Sequence, residues 1–528
     1  MGLGRASALI AAGTLTSRIT GLLRATVLVA AVGSIGQATD AFATANQLPN
    51  AIYQVISAGL LTGVIVPQVV RASAQKDGGH AFLAKLLTMG MILVGGVTVV
   101  AVFAAPALVS LYAPHYQGAQ YTLAVAFAYW CIPQLFFYGM FALLGEILNA
   151  RRVFGPYAWA PISNNIVSIV GFLAFMMMFG GDRRIASEWT PEMIALFAGT
   201  ATLGIVAQTI VLLFFWRRVG IPLRLDFHWR GMGLGTLGRL ATWTLMTTLL
   251  GQLVGIVQSS VVTAASGDNP SVQASGLAWL VYMVPYSVII LAIGTPYFTR
   301  LSEHASAERH DHVRDDIGQS IRVLGVLVMA GTAAVAAASV AATRVFSSSA
   351  ADAVITAPVL LAYLVSLIPM AVLFIVQRTF YAYGDARTPF VFTIVQAVLV
   401  LTGTIVVSFT TPLAWMAAVV ALVQSCAGIL QTVLATILLR RKLGPLGLTP
   451  TWLALLRFAV AAIPAGLAGY GVYLLSGGAQ GWMLNSQLMG AVGSCVIGAV
   501  VAVVYAALLA VLRVPELRIA LDAVRRRG

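Results

Sequence analysis

Fourteen apolar stretches, each about 20 residues or longer, follow one another along the chain, and about 20 helical residues are what the hydrocarbon core of a bilayer requires. They run roughly over 6–32, 42–70, 82–112, 121–149, 157–180, 192–216, 236–264, 273–299, 318–344, 354–382, 389–410, 413–439, 455–476 and 485–512. With 59% of its 528 residues hydrophobic and 9% charged, the chain cannot be a soluble globule. Its connections are short, so no soluble domain is inserted. The sequence therefore specifies an all-α polytopic membrane protein. The even helix count admits two six-helix halves, 1–220 and 221–445, followed over 446–528 by two further helices and a basic tail. The fourth and tenth stretches leave through NARRVFGP, Asn149 to Pro156, and YAYGDARTP, Tyr381 to Pro389. Both place an aromatic, small and basic turn before a helix-starting proline, as parallel repeats would, although any short turn between helices can carry such residues.

A net charge of +14 would suggest nucleic acid in a soluble chain; here it is read against topology. A cytoplasmic N-terminus puts 26 of the 31 basic residues on the cytoplasmic side, among them Arg71, Lys76, Lys85, Arg151, Arg152, Arg217, Arg218 and Arg440 to Lys442. Arg183, Arg184 and Arg344 fall outside, and Arg18 and Arg24 within the membrane. Both termini are thus expected in the cytoplasm, with no role for nucleic acid, and Arg525, Arg526 and Arg527 are read as an anchor on anionic lipid. The first stretch reaches Arg18 too early for a signal-peptide core and is read as a retained helix. The charged stretch 301–322 is expected to form an interfacial helix joining the halves. Its His304, His310 and His312 match no zinc spacing, and Cys131, Cys426 and Cys495 lie in apolar runs without a CxxC. No metal or cofactor is expected.

The strongest functional signal is SRITGLLR, which puts Arg18 and Arg24 inside the first stretch. A charge at the bilayer centre costs about 2.5–3.5 kcal/mol on insertion scales, so both should face a wet cavity unless they snorkel or pair with Asp40. Six residues of helix separate them by about 9 Å of rise and about 120°, which long side chains can bridge. Ser17 lies seven residues before Arg24, on its face. A guanidinium keeps its charge and donates through a planar fork, so the expected ligand is a phosphate or carboxylate.

Asp40 opens the second stretch, where it either caps the helix or pairs with an arginine. Asn46, Gln47, Pro49 and Asn50 then bring polar groups and an interruption into the membrane, and Pro133, Pro161, Pro285, Pro369 and Pro464 interrupt other spans. Asn164 and Asn165 follow Pro161; Asn165 is a candidate ligand contact, with bonding between helices as the alternative. Glu146 sits near the end of the fourth stretch. The sequence carries no HExxH, GxSxG or Walker loop and no histidine within a span, so it points to a transporter and not to an enzyme. A cation antiporter would want an acidic cavity, for which only Asp40 and Glu146 qualify, and a membrane scaffold would not need buried arginines.

SRITGLLR, ATDAFATANQLPN at Ala38 to Asn50 and VIVPQ at Val64 to Gln68 together resemble the MurJ (MviN) lipid II flippases of the multidrug/oligosaccharidyl-lipid/polysaccharide exporter superfamily. The resemblance implies two lobes in a V around a central cavity and alternating-access export of an undecaprenyl-pyrophosphate-linked glycopeptide across the bacterial cytoplasmic membrane. It assigns Ser17, Arg18, Arg24, Asp40 and Asn165 to the substrate cavity, with membrane lipids and cell-wall synthesis proteins as partners. The chain departs from the family where basic residues often follow LPN, here Tyr53 and Gln54, and in the eighth helix, here LAWLVYMVP, Leu277 to Pro285. From Leu240 to Thr299 the only charge is Asp268, so phosphate recognition is expected to rest on the first helix and a sodium gradient not to be obligatory.

Overall fold

The structure is a computed structural model that describes residues 3–58, 80–151, 153–216, 226–227 and 239–516. VIVPQ (Val64 to Gln68), Arg71, Lys76, Arg152, Arg217, Arg218 and Arg525 to Arg527 lie outside the described residues. The chain forms two compact units, Met1–Asp268 and Asn269–Gly528. The first contains α1 (Leu3–Val32), α2 (Gln37–Ile56), α3 (His80–Phe103), α4 (Ala105–Tyr112), α5 (Gly118–Cys131), α6 (Gln134–Ala150), α7 (Gly155–Phe179), α8 (Pro191–Trp216) and α9 (Arg239–Val262). The second contains α10 (Val272–Pro285), a π-helical segment (Tyr286–Leu291), α11 (Ala292–Ser306), α12 (His310–Ala337), α13 (Ser339–Val345), α14 (Ala350–Leu364), α15 (Leu367–Ala382), α16 (Arg387–Thr410), α17 (Met416–Leu443), α18 (Thr449–Leu475) and α19 (Gln487–Val511).

Among the described residues, 13 helical segments are long and apolar enough to cross a membrane, and they correspond to all but the second of the 14 expected stretches. The second stretch falls within the described residues only up to residue 58; its described part is α2, which carries Asp40, Thr44, Asn46, Gln47 and Gln54. Protein and not lipid surrounds its first half: Ala38 to Phe42, Thr44, Ala45, Leu48 and Pro49 are buried. Prolines interrupt the spans as their chemistry requires, by removing an amide and crowding the carbonyl four residues back. The fourth span breaks between α5 and α6 at Ile132 and Pro133, the tenth breaks at Val365 and Ser366 ahead of Pro369, and the π-helical segment follows Pro285. Pro161 and Pro464 lie inside α7 and α18 without ending them.

The expected interfacial helix over 301–322 is not formed. Instead α11 continues to Ser306, α12 starts at His310, and a tight turn with Glu308 at φ 55° joins them. Asp316 explains why the charges do not force the helices apart. It is buried, accepts a 2.6 Å bond from Arg300 Nη2 and lies 2.7 Å from His304 Nδ1, so the hairpin neutralises itself across the turn. No group of His, Cys, Asp and Glu among the described residues could hold a metal ion.

A succession of elements recurs. In the first unit α5 and α6 (14 and 17 residues) lead through a turn to α7 (25), a 3-10 turn and α8 (26); in the second, α14 and α15 (15 and 16) lead to α16 (24), a 3-10 turn and α17 (28). The two exits singled out from the sequence close with the same backbone bond, from the amide five residues on: Val153 to the Leu148 carbonyl at 2.8 Å and Asp385 to the Phe380 carbonyl at 3.0 Å. In the first unit Phe42 packs edge-on against Phe127 and Phe197, with ring centroids at 5.4 and 4.8 Å, so α2 is pinned to α5 and α8. α7 and α8 approach at Gly171, where a Cβ would stand 2.3 Å from the Thr200 Cβ.

Candidate substrate-binding site

The stripe predicted on α1 faces the interior of the first unit. Asn165 of α7 is buried and donates its Nδ2 to the Ser17 carbonyl at 3.0 Å and to Thr20 Oγ1 at 2.9 Å. Gly21 fills the same stripe: a Cβ there would lie 3.7 Å from Asn165 Nδ2. Asn165 thus clasps α7 to α1, and it meets Ser17 through the backbone and not through the hydroxyl.

Arg24 is one turn further along this stripe, half-buried. Among the described residues it makes no ion pair or hydrogen bond. Its charge is felt at the Tyr138 hydroxyl of α6, and Tyr138 begins a polar seam. The Tyr138 hydroxyl donates to Gln134 Oε1 at 3.3 Å; Gln134 Nε2 in turn donates to Asn46 Oδ1 of α2 at 3.3 Å and to Thr202 Oγ1 of α8 at 3.0 Å. The seam leaves the guanidinium fork uncommitted at its head, which suits an anion. Arg18 is exposed, on another face of α1, and shares none of these contacts. Neither arginine pairs with Asp40, so that structural alternative is absent from this conformation.

Asp40 belongs to a second cluster. It is the fourth residue of α2, whose N-cap position is held by Gly36 with no side-chain bond, so Asp40 is not the cap. It is buried, and its Oδ2 accepts a 2.7 Å bond from Ser266 Oγ. Gln120 Nε2 donates to the same Ser266 oxygen at 2.7 Å and to the Gln37 carbonyl at 3.2 Å, while the Tyr116 hydroxyl and Thr44 Oγ1 lie 3.0 Å apart.

This cluster is one end of a polar strip that reading single motifs does not reveal. Asp40 accepts from Ser266, Gln47 Nε2 donates to Ser259 Oγ at 3.2 Å, and Gln54 Oε1 accepts from Gln252 Nε2 at 3.1 Å. Along α2 the contacts ascend in steps of seven residues, and along α9 and the turn after it they descend in steps of seven. Two antiparallel helices with heptad polar positions produce this register. His115 Nδ1 adds a 2.9 Å contact to the Ser260 carbonyl. The sequence carries part of this network: Gln134 and Tyr138 are four apart after Pro133, and Gln252, Ser259 and Ser266 show the seven-residue spacing.

A helical, proline-broken bundle with a recurring succession of elements and an intramembrane arginine that has no partner among the described residues defines a polytopic membrane transporter. Solved structures share the fold: a lipid II flippase MurJ in an inward closed conformation, at TM-score 0.69 and 17% identity over 93% of this chain and 98% of that one, and an inward-facing multidrug resistance MATE family transporter of the MOP superfamily, at TM-score 0.63 and 14% identity over 82% and 96%. The family model described as "Lipid II flippase MurJ" matches residues 29–493, and the chain belongs to that family. The matched interval begins after Arg24. Relatives named "Probable lipid II flippase MurJ" include one from Rhizobium meliloti (strain 1021), 24% identical over 74% of this chain and 73% of its own length, and one from Rhizobium tropici, 26% identical over 58% and 56%. The aligned part thus spans little more than half of the second relative.

Proposed function

We propose that this protein moves a polyprenyl-pyrophosphate-linked glycopeptide, lipid II, from the inner to the outer leaflet of a bacterial cytoplasmic membrane, with both termini in the cytoplasm and no enzymatic step. The observation that carries the reading is Arg24: a half-buried guanidinium in an apolar span, with no carboxylate partner among the described residues, at the head of the Tyr138–Gln134–Asn46 seam. Arg24 takes the pyrophosphate, and Ser17, Arg18, Asp40 and Asn165 line or support the cavity. Asn165 and Asp40 act mainly by fixing α1 and α2, because both are already bonded within the protein. The halves 1–220 and 221–445 are the repeated transport unit, a division supported by the recurring succession of helices, with 446–528 appended.

The prenyl tail needs an apolar berth. In the second unit a cavity of about 390 Å³ runs between α12 and α18, lined by Met329, Ala333, Ala336, Ile463, Gly466 and Leu467. Its small residues leave room for a hydrocarbon chain such as a lipid tail. The α2–α9 strip is held by a few hydrogen bonds, which suits a contact that parts and re-forms during alternating access. Lipid II translocation by purified protein in vesicles tests the reading: transport should occur and should fall about tenfold or more in Arg24→Ala, since charge-assisted bonds are worth about 1.5–3 kcal/mol each. Undiminished transport by well-folded Arg24→Ala would refute the assignment, and efflux of organic cations in place of lipid transport would favour an antiporter.

A further inference from the structure

Arg378 sits inside α15, within the apolar segment Ala350–Ala382, although counting basic residues by topology groups it with the cytoplasmic helix ends. It is half-buried, and among the described residues no carboxylate pairs with it. Aromatic faces hold it instead. Its guanidinium carbon lies 5.1 Å from the Phe298 ring centroid of α11 and 5.2 Å from that of Phe374, one turn back on α15. Phe374 fits because residue 294 is glycine: a Cβ there would stand 2.5 Å from the Phe374 ring. Gln377 Nε2 donates to the Tyr381 hydroxyl at 3.1 Å, which leaves the phenolic proton of Tyr381 free to donate elsewhere. The charge of Arg378 is felt at both Tyr381 and Tyr286.

Stacking on ring faces steadies a guanidinium without consuming the N–H groups in its plane. Arg300 shows the contrast: it too lies over a ring, that of Tyr297, but its Nη2 donates to Asp316. The recurring succession adds a second argument. Aligning the equivalent carbonyls of Leu148 and Phe380 sets Arg378 against Glu146 of α6, so both units carry an ionisable group at this position but of opposite sign.

We propose that Arg378, steadied by Phe298 and Phe374, is an anion-binding residue of the second unit and takes a phosphate of the transported polyprenyl-pyrophosphate lipid. The proposal rests on the lipid II reading above. The chemistry recognised is a pair of lipid phosphate oxygens, which bulk phospholipid also offers, so the test separates the two sources.

Full-length protein in phosphatidylcholine nanodiscs is titrated with undecaprenyl pyrophosphate and, separately, with phosphatidylglycerol. Arg378→Gln should weaken undecaprenyl pyrophosphate binding about tenfold or more, Arg378→Lys should recover only part, and Arg440→Ala, at an exposed helix end, should change nothing. Phe298→Leu keeps the charge but removes one ring face; it should weaken binding about two- to fivefold and serves if Arg378→Gln does not fold. Unchanged pyrophosphate affinity in folded Arg378→Gln, a loss confined to phosphatidylglycerol, or full recovery by lysine would each overturn the proposal. If Arg24→Ala weakens binding while Arg378→Gln does not, this inference fails and the proposed function stands; if the parent protein binds no pyrophosphate lipid, the proposed function itself fails.

Discussion

Bridging α2 to α9 should arrest transport. The perturbation is Gln47→Cys with Ser259→Cys, at the centre of the strip, joined by a short thiol-reactive cross-linker in a background where the three native cysteines are replaced. The magnitude follows from the strip's own contacts. The bond from Ser266 to the Asp40 carboxylate is worth about 1.5–3 kcal/mol, and each neutral amide contact about 0.6 kcal/mol in a membrane protein. The whole strip therefore biases its closed arrangement by about 3–4 kcal/mol. That is large enough to set a resting state and small enough for substrate binding to reverse. A covalent bridge makes the bias effectively infinite. The assay is lipid II translocation in vesicles before cross-linking, after it, and after cleavage of a reducible linker; transport should disappear and then return. Full transport at nearly complete cross-linking would show that the strip need not part, and the reasoning from its weak, heptad-spaced contacts would be wrong.

Ser266→Ala, the milder form of the same test, should favour the parted state about tenfold or more, read as faster thiol labelling of Gln47→Cys alone. Arg344 is buried and donates to the Leu484 carbonyl at 2.8 Å and the Ser347 carbonyl at 2.5 Å, so Arg344→Met should cost about 2–3 kcal/mol and lower the thermal midpoint of the purified protein. Asp385 should make stability fall on acidification. Burial opposes its charge, yet Lys442 at 2.8 Å and the amide and hydroxyl of Thr388 hold its carboxyl below the ordinary value. Its contribution is present above the unfolded carboxylate range and lost as pH falls through the lowered folded value, so Asp385→Asn should flatten the acid limb of thermal stability against pH. Replacing sodium by potassium at a fixed imposed potential should leave vesicle transport intact, because Leu240 to Thr299 holds no carboxylate but Asp268.

What the sequence determined by itself was whatever depends on local chemistry and length. Apolar runs long enough to span hydrocarbon must become helices, since an unpaired backbone group has no partner in lipid, and so the spans of α1, α7 and α17 could be read directly. Proline positions gave the breaks at Pro133 and ahead of Pro369 for the same covalent reason. Arg24 stood out because a charge inside an apolar run is conspicuous without any knowledge of its neighbours. The tertiary structure decided everything that needed a partner from a distant part of the chain. Only packing shows that the polar α2 is enclosed by α5, α6 and α9, that Asn165 is spent on the α1 backbone, that Asp40 meets Ser266, and that Asp316 lets α11 and α12 close into a hairpin where a separate interfacial helix was expected. The physical reason is that a hydrogen bond between residues 40 and 266 leaves no periodic trace near either one. Hydrophobic periodicity records how a helix meets its solvent, and in a lipid-solvated bundle it says little about which helix lies on the other side.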